Sequence, residues 1–531
     1  MIIFLDILNS TLAKLRSNFR KLFPYSTDAC IETIDALSSN VSTQSQIKLT
    51  LSPFFTRDHT SLSHAISSYY KPRDINTSNS KKLKQDVDKN IQNVLCQHLD
   101  KHSQDYNLFA IDATPHKRPH AKKLTDKSFV YSPGTISSVK PIVVGHKYSY
   151  VNYLTEENHW ALPIDVKRVA TTENDTVVGV VQWTNIINDE KNHLEDKTSV
   201  GVFDSAYSNA YAMSKCVKTK SKNSIFIARI RGDRVLMRPS VIESKGKRGR
   251  PSIFDLQNPF KLKDNGTWGD PTASQEIDWQ TKKGKNHRVQ ITMWDNLRMR
   301  GHKEAQIQYT PLTLVRIIVR DKDGKAVYKN PLWLIMVGNW PIDWFIERYW
   351  YFYCTRFDIE HYFRFGKQRL LMSTFQTPET SNEENWMVFV MVAYHQLYHA
   401  RIIARNLPND WEKNKVSDQE ALPPSRVQRD MPRLLKELPT ITTEVKTRGI
   451  PKGRKVGEKT KTRADSPVVR KSSLKPVPKG SININWPVEN NGEILKPSIK
   501  CRGMDKSDIP TEIMTTFQNV EHVVPKSASP P

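Results

Sequence analysis

Tyr353, Arg356, Glu360 and Lys367 stand at relative positions 0, 3, 7 and 14 in the segment YCTRFDIEHYFRFGK. On an α-helix, at about 100° per residue, they fall at roughly 0°, 300°, 340° and 320°, so a tyrosine, two cations and one carboxylate share an arc of about 60°. Two nearby acids miss that arc, Glu347 at about 120° and Asp358 at about 140°. One acid flanked by phosphate-binding groups suits a metal-dependent site for a polyanion. The competing reading is a solvated charged face with incidental i,i+4 pairs.

Two more carboxylates have a structural warrant of their own. NLFAIDAT (107–114) is a short apolar run carrying Asp112, the form of a buried strand whose end emerges at a sheet edge. SVGVFDSAYSNAYAMSKCV (199–217) repeats the pattern, with a strand ending at Asp204 and a helix beginning near Ser208. Open α/β sheets place their sites at the carboxyl ends of such strands. Asp112, Asp204 and Glu360 together could hold two divalent cations, Mg2+ first and Mn2+ as a substitute, because hard cations want oxygen ligands. Two ions about 4 Å apart activate an attacking water or 3′-hydroxyl and stabilise the leaving oxygen of an in-line phosphodiester displacement.

The elements that must position these groups follow from periodicity. Residues 1–100 are helical in pattern and poor in glycine. Within them, 46–70 has room for a short helix-turn-helix, with Thr56 and Thr60 or Ser61 as N-caps and Ser61–Tyr70 as a recognition helix; a plain helical bundle explains the pattern equally. NTSNSKKLKQD (76–86) reads as a polar linker or helix start. In residues 101–218 the strand at 107–114 is followed at hairpin-like intervals by β-rich stretches at 128–132 and 140–154, and then by the strand and helix around Asp204.

Between Asp204 and Glu360 lie 155 residues, too many for a loop. They predict a β-rich insertion over 219–330, with strands at 225–232, 288–297 and 312–320, a DKDG turn at 321–324, and a strand at 331–338 that returns to the core sheet. The insertion carries the basic loop SKGKRGRPSIFD (244–255), whose Arg248 and Arg250 suit an A·T-rich minor groove as well as they suit an exposed turn. Past Pro341 a helix is expected to run through Glu360 to about Leu371. A further helix over about 384–405, apolar on one face, completes a second core segment, 331–405, and 406–440 is helical. The stretch 441–531 is Pro/Gly/Ser-rich and basic, with 12 Lys+Arg against 3 acids over 441–480, a net of +9; this composition predicts a disordered tail that holds DNA non-specifically.

Whole-chain composition narrows the partner. There are 80 Lys+Arg against 55 Asp+Glu in 531 residues, a formal net charge of +25, and such a surplus attracts nucleic acid or an anionic membrane surface. No membrane role is expected: the longest apolar run, Trp386 to Ala393, falls far short of the roughly 18 residues a span needs, and the apolar MIIFLDILNS start lacks a basic flank. The five cysteines (Cys30, Cys96, Cys216, Cys354, Cys501) are scattered, without metal-ligand or disulfide spacing, which fits a reducing cytoplasm.

The Tyr-x2-Arg-x3-Glu-x6-Lys spacing, with AIDAT and VFDSAYS upstream, resembles the bacterial insertion-sequence DDE transposases of the Tyr-Arg-Glu-Lys signature group (insertion-sequence-4-like). The resemblance covers about 105–405. It implies an RNase H-like mixed sheet flanked by helices, a β-rich insertion before the glutamate helix, and a helical N-terminal domain. Asp112, Asp204 and Glu360 would be the catalytic metal triad, and Tyr353, Arg356 and Lys367 would contact phosphates of the transposon end. It also implies Mg2+-dependent DNA cleavage and transfer of the 3′-OH into target DNA, with double-stranded terminal inverted repeats and target DNA as partners, a dimer in the DNA complex, and a nucleoid-associated bacterial enzyme. In some relatives a flipped base stacks on a tryptophan, a part open here to Trp333 or Trp340, with core packing the stronger reading for Trp333.

Asp105, Asp165 and the His116/His120 pair compete as acids or metal ligands, but read better as surface acids and, between Pro115 and Pro119, as a pair that no helix brings together. The alternatives to a transposase are an inactive or domesticated DNA-binding relative, an RNase H-like nuclease that does not join strands, and a basic structural protein, which would leave the three acids unexplained.

Overall fold

The computed structural model of the chain describes residues 11–72, 79–132, 142–157, 160–219, 223–240, 252–281, 284–341, 343–406, 422–447, 449, 453, 455, 457, 459, 462–470, 482–485 and 498–501. Its N-terminal part is helical, with α1 (Thr11–Leu22), α2 (Thr27–Ser38), α3 (His59–Ser68) and α4 (Ser80–Gln97). Over 46–70, where the sequence leaves room for a helix-turn-helix, the second helix is present as α3, while the first element is a 3-10 turn, Ile47–Leu51. Asp58 takes the N-cap position of α3, because Thr56 is committed elsewhere: its N–H and hydroxyl both donate to Glu32 on α2, at 2.9 and 3.1 Å.

Four strands follow: β1 (Tyr106–Lys117), β2 (Ser128–Tyr131), β3 (Ile142–Leu154) and β4 (Ala161–Val169). Helix α5 (Asp175–Ile187) leads to β5 (Thr198–Phe203), and α6 (Ala210–Thr219) leads to β6 (Ser224–Arg229). The intervening β-rich region supplies β7 (Val235–Pro239) and β8 (Phe254–Lys261), which pair with each other. It continues with β9 (Ala273–Gln280), β10 (Asn286–Leu297), β11 (Leu312–Asp321) and β12 (Leu332–Val337). Among the described residues ten strands join in one mixed sheet, ordered β2-β3-β1-β5-β6-β12-β11-β10-β9, with β4 also on β3. β1, β5 and β6 run parallel; β3 is antiparallel to β1, and β12 to β6. The β-rich region therefore extends the core sheet through β12, and Gly324 takes the positive φ (+77°) that the DKDG turn requires.

Helices cover both faces. α5 packs across β1 and β3 on one side. On the other lie α7 (Arg348–Thr355), α8 (Asp358–Arg369) and α9 (Thr380–Asn406), and α10 (Pro424–Glu437) packs on α9. The sequence predicts a single apolar face for α9, but the helix is buried nearly all round from Asn385 to Arg401. The sheet covers one side through β4, and α1–α4 cover the other. A buried polar node fixes that second contact: Arg16 on α1 and Gln396 on α9 both donate to Asp35 on α2, Gln396 at 2.8 Å.

Part of the stretch after residue 440 has definite partners, although its composition points to disorder. Arg20 donates to the carbonyl of Ile441 at 2.7 Å and Arg57 to that of Thr443 at 2.8 Å. Further on, the Ser466 and Val469 N–H groups donate to the carbonyls of Lys122 and Lys127 at 3.0 and 2.8 Å. Residues Arg470–Pro531 form a separate compact unit, in which β13 (Ile482–Asn485) pairs antiparallel with β14 (Ser498–Cys501). No helix among the described residues is long and apolar enough to cross a membrane.

Candidate active site

β1 outruns its parallel partner. The β1–β5 ladder ends at Ile111 opposite Phe203, while β1 continues to Lys117 along β3. Asp112 is therefore the first residue past the parallel ladder, within the strand and not at its end as the sequence pattern has it. Asp204 is the first residue after β5, so the two carboxylates leave adjacent strands at one level. Asp204 adopts an extended conformation (φ −79°, ψ −176°) and caps the 3-10 turn Ser205–Tyr207, accepting from the Ala206 N–H at 2.9 Å.

Asp112 accepts from the Ala113 N–H at 2.7 Å and lies 3.9 Å from the Arg356 guanidinium. Burial, followed by repulsion from Asp204, pushes its carboxyl up to about 6; Arg356 opposes this and Glu360 adds to it. One carboxylate thus feels the charge of both others, from residues 92 positions downstream on a neighbouring strand and 248 downstream on a helix.

The helical segment differs from the sequence expectation in two ways. It begins at Arg348 and not just after Pro341, because the Trp340 indole N–H donates to the Trp344 carbonyl (3.1 Å) and Trp344 N–H turns back to Pro341 O (3.0 Å). It is also broken at Arg356–Phe357. There the Phe357, Ile359 and Glu360 N–H groups each bond three residues back, to Cys354, Arg356 and Phe357, which overwinds the chain into a 3-10 turn between α7 and α8. Tyr353 and Arg356 are consequently buried, and Glu360 in the first turn of α8 is exposed, so the four signature residues do not share one continuous face.

The break gives each residue a distinct setting. Arg356 lies over the Tyr353 and Phe357 rings, at 5.6 and 4.8 Å from their centroids, and its Nε has no hydrogen-bond partner among the described residues. A buried guanidinium with an unused donor suits an oxyanion. Lys367, two turns along α8 from Glu360, donates to the Thr114 hydroxyl at 2.6 Å, two residues beyond Asp112 on the same face of β1. Burial and neighbouring Lys117 lower its pKa, and Asp112 opposes them.

Tyr207, which the sequence reading passes over, belongs here too. It is buried beside Asp112 and Asp204, and burial and those two charges push its ionisation far up, so it stays a neutral phenol. Gly179 on α5 lets the helix sit over it, since a Cβ there would come within 2.7 Å of the Tyr207 hydroxyl and 2.9 Å of Ile111.

Other candidates lie elsewhere. Asp105 accepts from the Trp344 indole (3.1 Å), and Asp165 from Gln182 (2.8 Å). His116 is buried beside Glu383, while His120 is exposed. Trp333 is buried and packs edge-on to Trp268; Trp340 stacks on Tyr349 at 4.0 Å, so both rings have protein partners. Arg248 and Arg250 lie outside the described residues.

Among the described residues no group of three or more His, Cys, Asp or Glu side chains stands ready to hold a metal ion. The donor chemistry nevertheless fits a hard divalent cation. Asp112 and Asp204 offer carboxylate oxygens, and the raised Asp112 carboxyl marks a half-buried acid with too few cations near it. No family model matches the chain, and no curated protein matches it.

Proposed function

We propose that this chain is a DDE transposase that cleaves phosphodiester bonds at transposon ends and transfers the 3′-hydroxyl into target DNA. The observation that carries the reading is the meeting of Asp112 and Asp204 beyond parallel strands with Arg356, Lys367 and the charge of Glu360 brought up by the helix pair α7–α8. The strand order β4-β3-β1-β5-β6, an antiparallel meander followed by two parallel strands, supports the RNase H-like form of the core.

Asp112, Asp204 and Glu360 would hold two Mg2+ or Mn2+ ions, which when bound supply an activated water or 3′-hydroxyl and stabilise the leaving oxygen. Glu360 is exposed on the first turn of α8, so its side chain has room to swing toward the two aspartates. Arg356 offers its unused Nε and its fork to a phosphate oxygen, and Lys367 a point charge two residues further along β1. Tyr207 stays protonated and excludes water from behind the aspartates. Two ends must be held together for transposition, so a dimer on DNA goes with this reading.

The test uses DNA from the two flanks of the coding region, where this reading places short inverted repeats, labelled at the 3′ end. Wild type is expected to cleave in Mg2+ and join the label to target DNA, and Asp112→Asn or Glu360→Gln to bind without cleaving. Release without joining would identify a nuclease, binding alone an inactive relative, and normal cleavage by either variant would remove the site assignment.

A further inference from the structure

The free face of the β2–β3 hairpin is the least explained surface of the molecule. In the antiparallel register Phe129 opposes Val144 and Tyr131 opposes Ile142, so these four side chains share one face. Three of them are open to solvent: Phe129 is 50 % exposed, Tyr131 64 % and Ile142 53 %. Val130, which points to the other face, is buried. An edge hairpin that buries one face and leaves two aromatic rings on the other carries a cost unless something lies on them.

Its surroundings identify what that is. Lys122 and Lys123, in the loop after β1, are exposed. That loop is held beside the hairpin: the Lys127 ammonium donates to the carbonyls of Ala121 and Lys122, both at 2.6 Å. The chain at 466–469 lies along the edge of β2, with Val469 bridged to Ser128, and so closes the edge to strand addition while leaving the face open. Of the nearby acids, Asp126 is committed to Arg168 and Glu379 to Arg463, while Asp465 lies close enough to act on the charge of Lys127. Lysines are depleted from the centres of protein–protein interfaces. Exposed aromatic rings rimmed by lysine suit unpaired bases, which stack on the rings while cations follow the phosphates.

We propose that the β2–β3 hairpin is a second nucleic-acid contact, which takes an unpaired DNA strand by stacking bases on Phe129 and Tyr131 and pairing phosphates with Lys122 and Lys123. It rests on the reading of the chain as a DNA-processing enzyme and adds where a separated strand goes.

The experiment measures binding of labelled oligothymidine and of a duplex by fluorescence anisotropy in EDTA, so that cleavage plays no part. Phe129→Ala/Tyr131→Ala is expected to weaken oligothymidine binding by about tenfold or more, since one stacked base is worth roughly 5- to 150-fold, with duplex affinity unchanged. Lys122→Gln/Lys123→Gln is expected to lower the log–log salt slope for oligothymidine by about 1.4. Both pairs are surface changes, and an unchanged melting curve checks that the variants fold. Unchanged oligothymidine affinity in the aromatic variant overturns the proposal. So does a concentration-dependent dimer, seen by sedimentation, that this variant dissolves without affecting DNA, because the face would then hold a second copy of the chain. Asp112→Asn should bind oligothymidine as wild type does, so loss of the catalytic reading and loss of this one give different results.

Discussion

One face of β1 carries two acid-centred clusters of opposite character. Asp112 opens toward α8 with Arg356 3.9 Å away and another carboxylate beside it, and its carboxyl is pushed up to about 6. Four residues on, His116 faces Glu383 from the first turn of α9, where burial is complete but the partners outnumber the acid. Glu383 is 3.0 Å from Arg118 Nε, 3.1 Å from His146 Nδ1 and 3.0 Å from the Tyr148 hydroxyl. Burial by itself would raise Glu383, but the His146 bond and the Arg118 charge override it and hold the carboxyl down at about 2. An acid that the protein satisfies from within ties elements together. One left short of positive charge is open to a ligand from outside.

That contrast breaks if the two acids respond alike to substitution. The largest effect is expected at Asp112, where Asn should abolish strand cleavage yet leave the fold as stable as before or more so, because it removes a poorly compensated charge. Glu383→Ala should do the reverse and destabilise by about 3–5 kcal/mol, since it strands the buried Arg118 guanidinium, whose other bonds reach backbone carbonyls, those of Lys117, Ser373 and Phe375. Urea unfolding beside a cleavage assay separates the two. A stable Glu383→Ala protein would mean that the inner cluster is not structural.

The pH dependence sharpens the same contrast, because the two shifts have opposite signs. The folded Asp112 pKa lies above its unfolded value near 3.9, so the stabilisation from holding that proton is full below about pH 4 and is lost as pH rises through about 6, on the order of 3 kcal/mol in all. The folded Glu383 pKa lies below its unfolded value, so its contribution is full above about pH 4.5 and is lost as pH falls through about 2. In EDTA, replacing Asp112 by Asn should therefore flatten the decline in stability between about pH 4 and 6 and leave the acid limb alone. Adding Mg2+ at neutral pH should raise the melting point of wild type, by about 2.7 kcal/mol of stability at a hundredfold excess over Kd, and leave Asp112→Asn unmoved. Equal Mg2+ responses from both proteins would place the ion elsewhere.

The open cluster is legible in the sequence and the closed one is not, for a physical reason. Asp112 and Asp204 each end or interrupt an apolar run, and Glu360 has a local spacing partner in Lys367, so short-range patterning marks them. Glu383 stands in an ordinary helix start, and its partner Arg118 is 265 residues away, joined to it only by tertiary packing. Local pattern misleads in one other place. The wheel over 353–367 assumes an uninterrupted α-helix, and the 3-10 turn at Arg356 that carries the guanidinium inward leaves no mark in the periodicity.

The smallest expected effect lies at the seam between the clusters. Lys367 reaches Thr114, midway on the β1 face between Asp112 and His116, and burial has already lowered its pKa. If it serves the open cluster, Lys367→Ala should weaken duplex binding modestly and reduce the log–log salt slope by about 1, as expected when one phosphate is no longer neutralised. If it only braces β1 against α8, the variant should lose stability with no change in that slope. Lys367→Arg separates these further, because it keeps a charge for phosphate while the fork cannot reproduce the single short bond to Thr114. A normal salt slope in the arginine variant together with a reduced one in the alanine variant would assign the lysine to DNA.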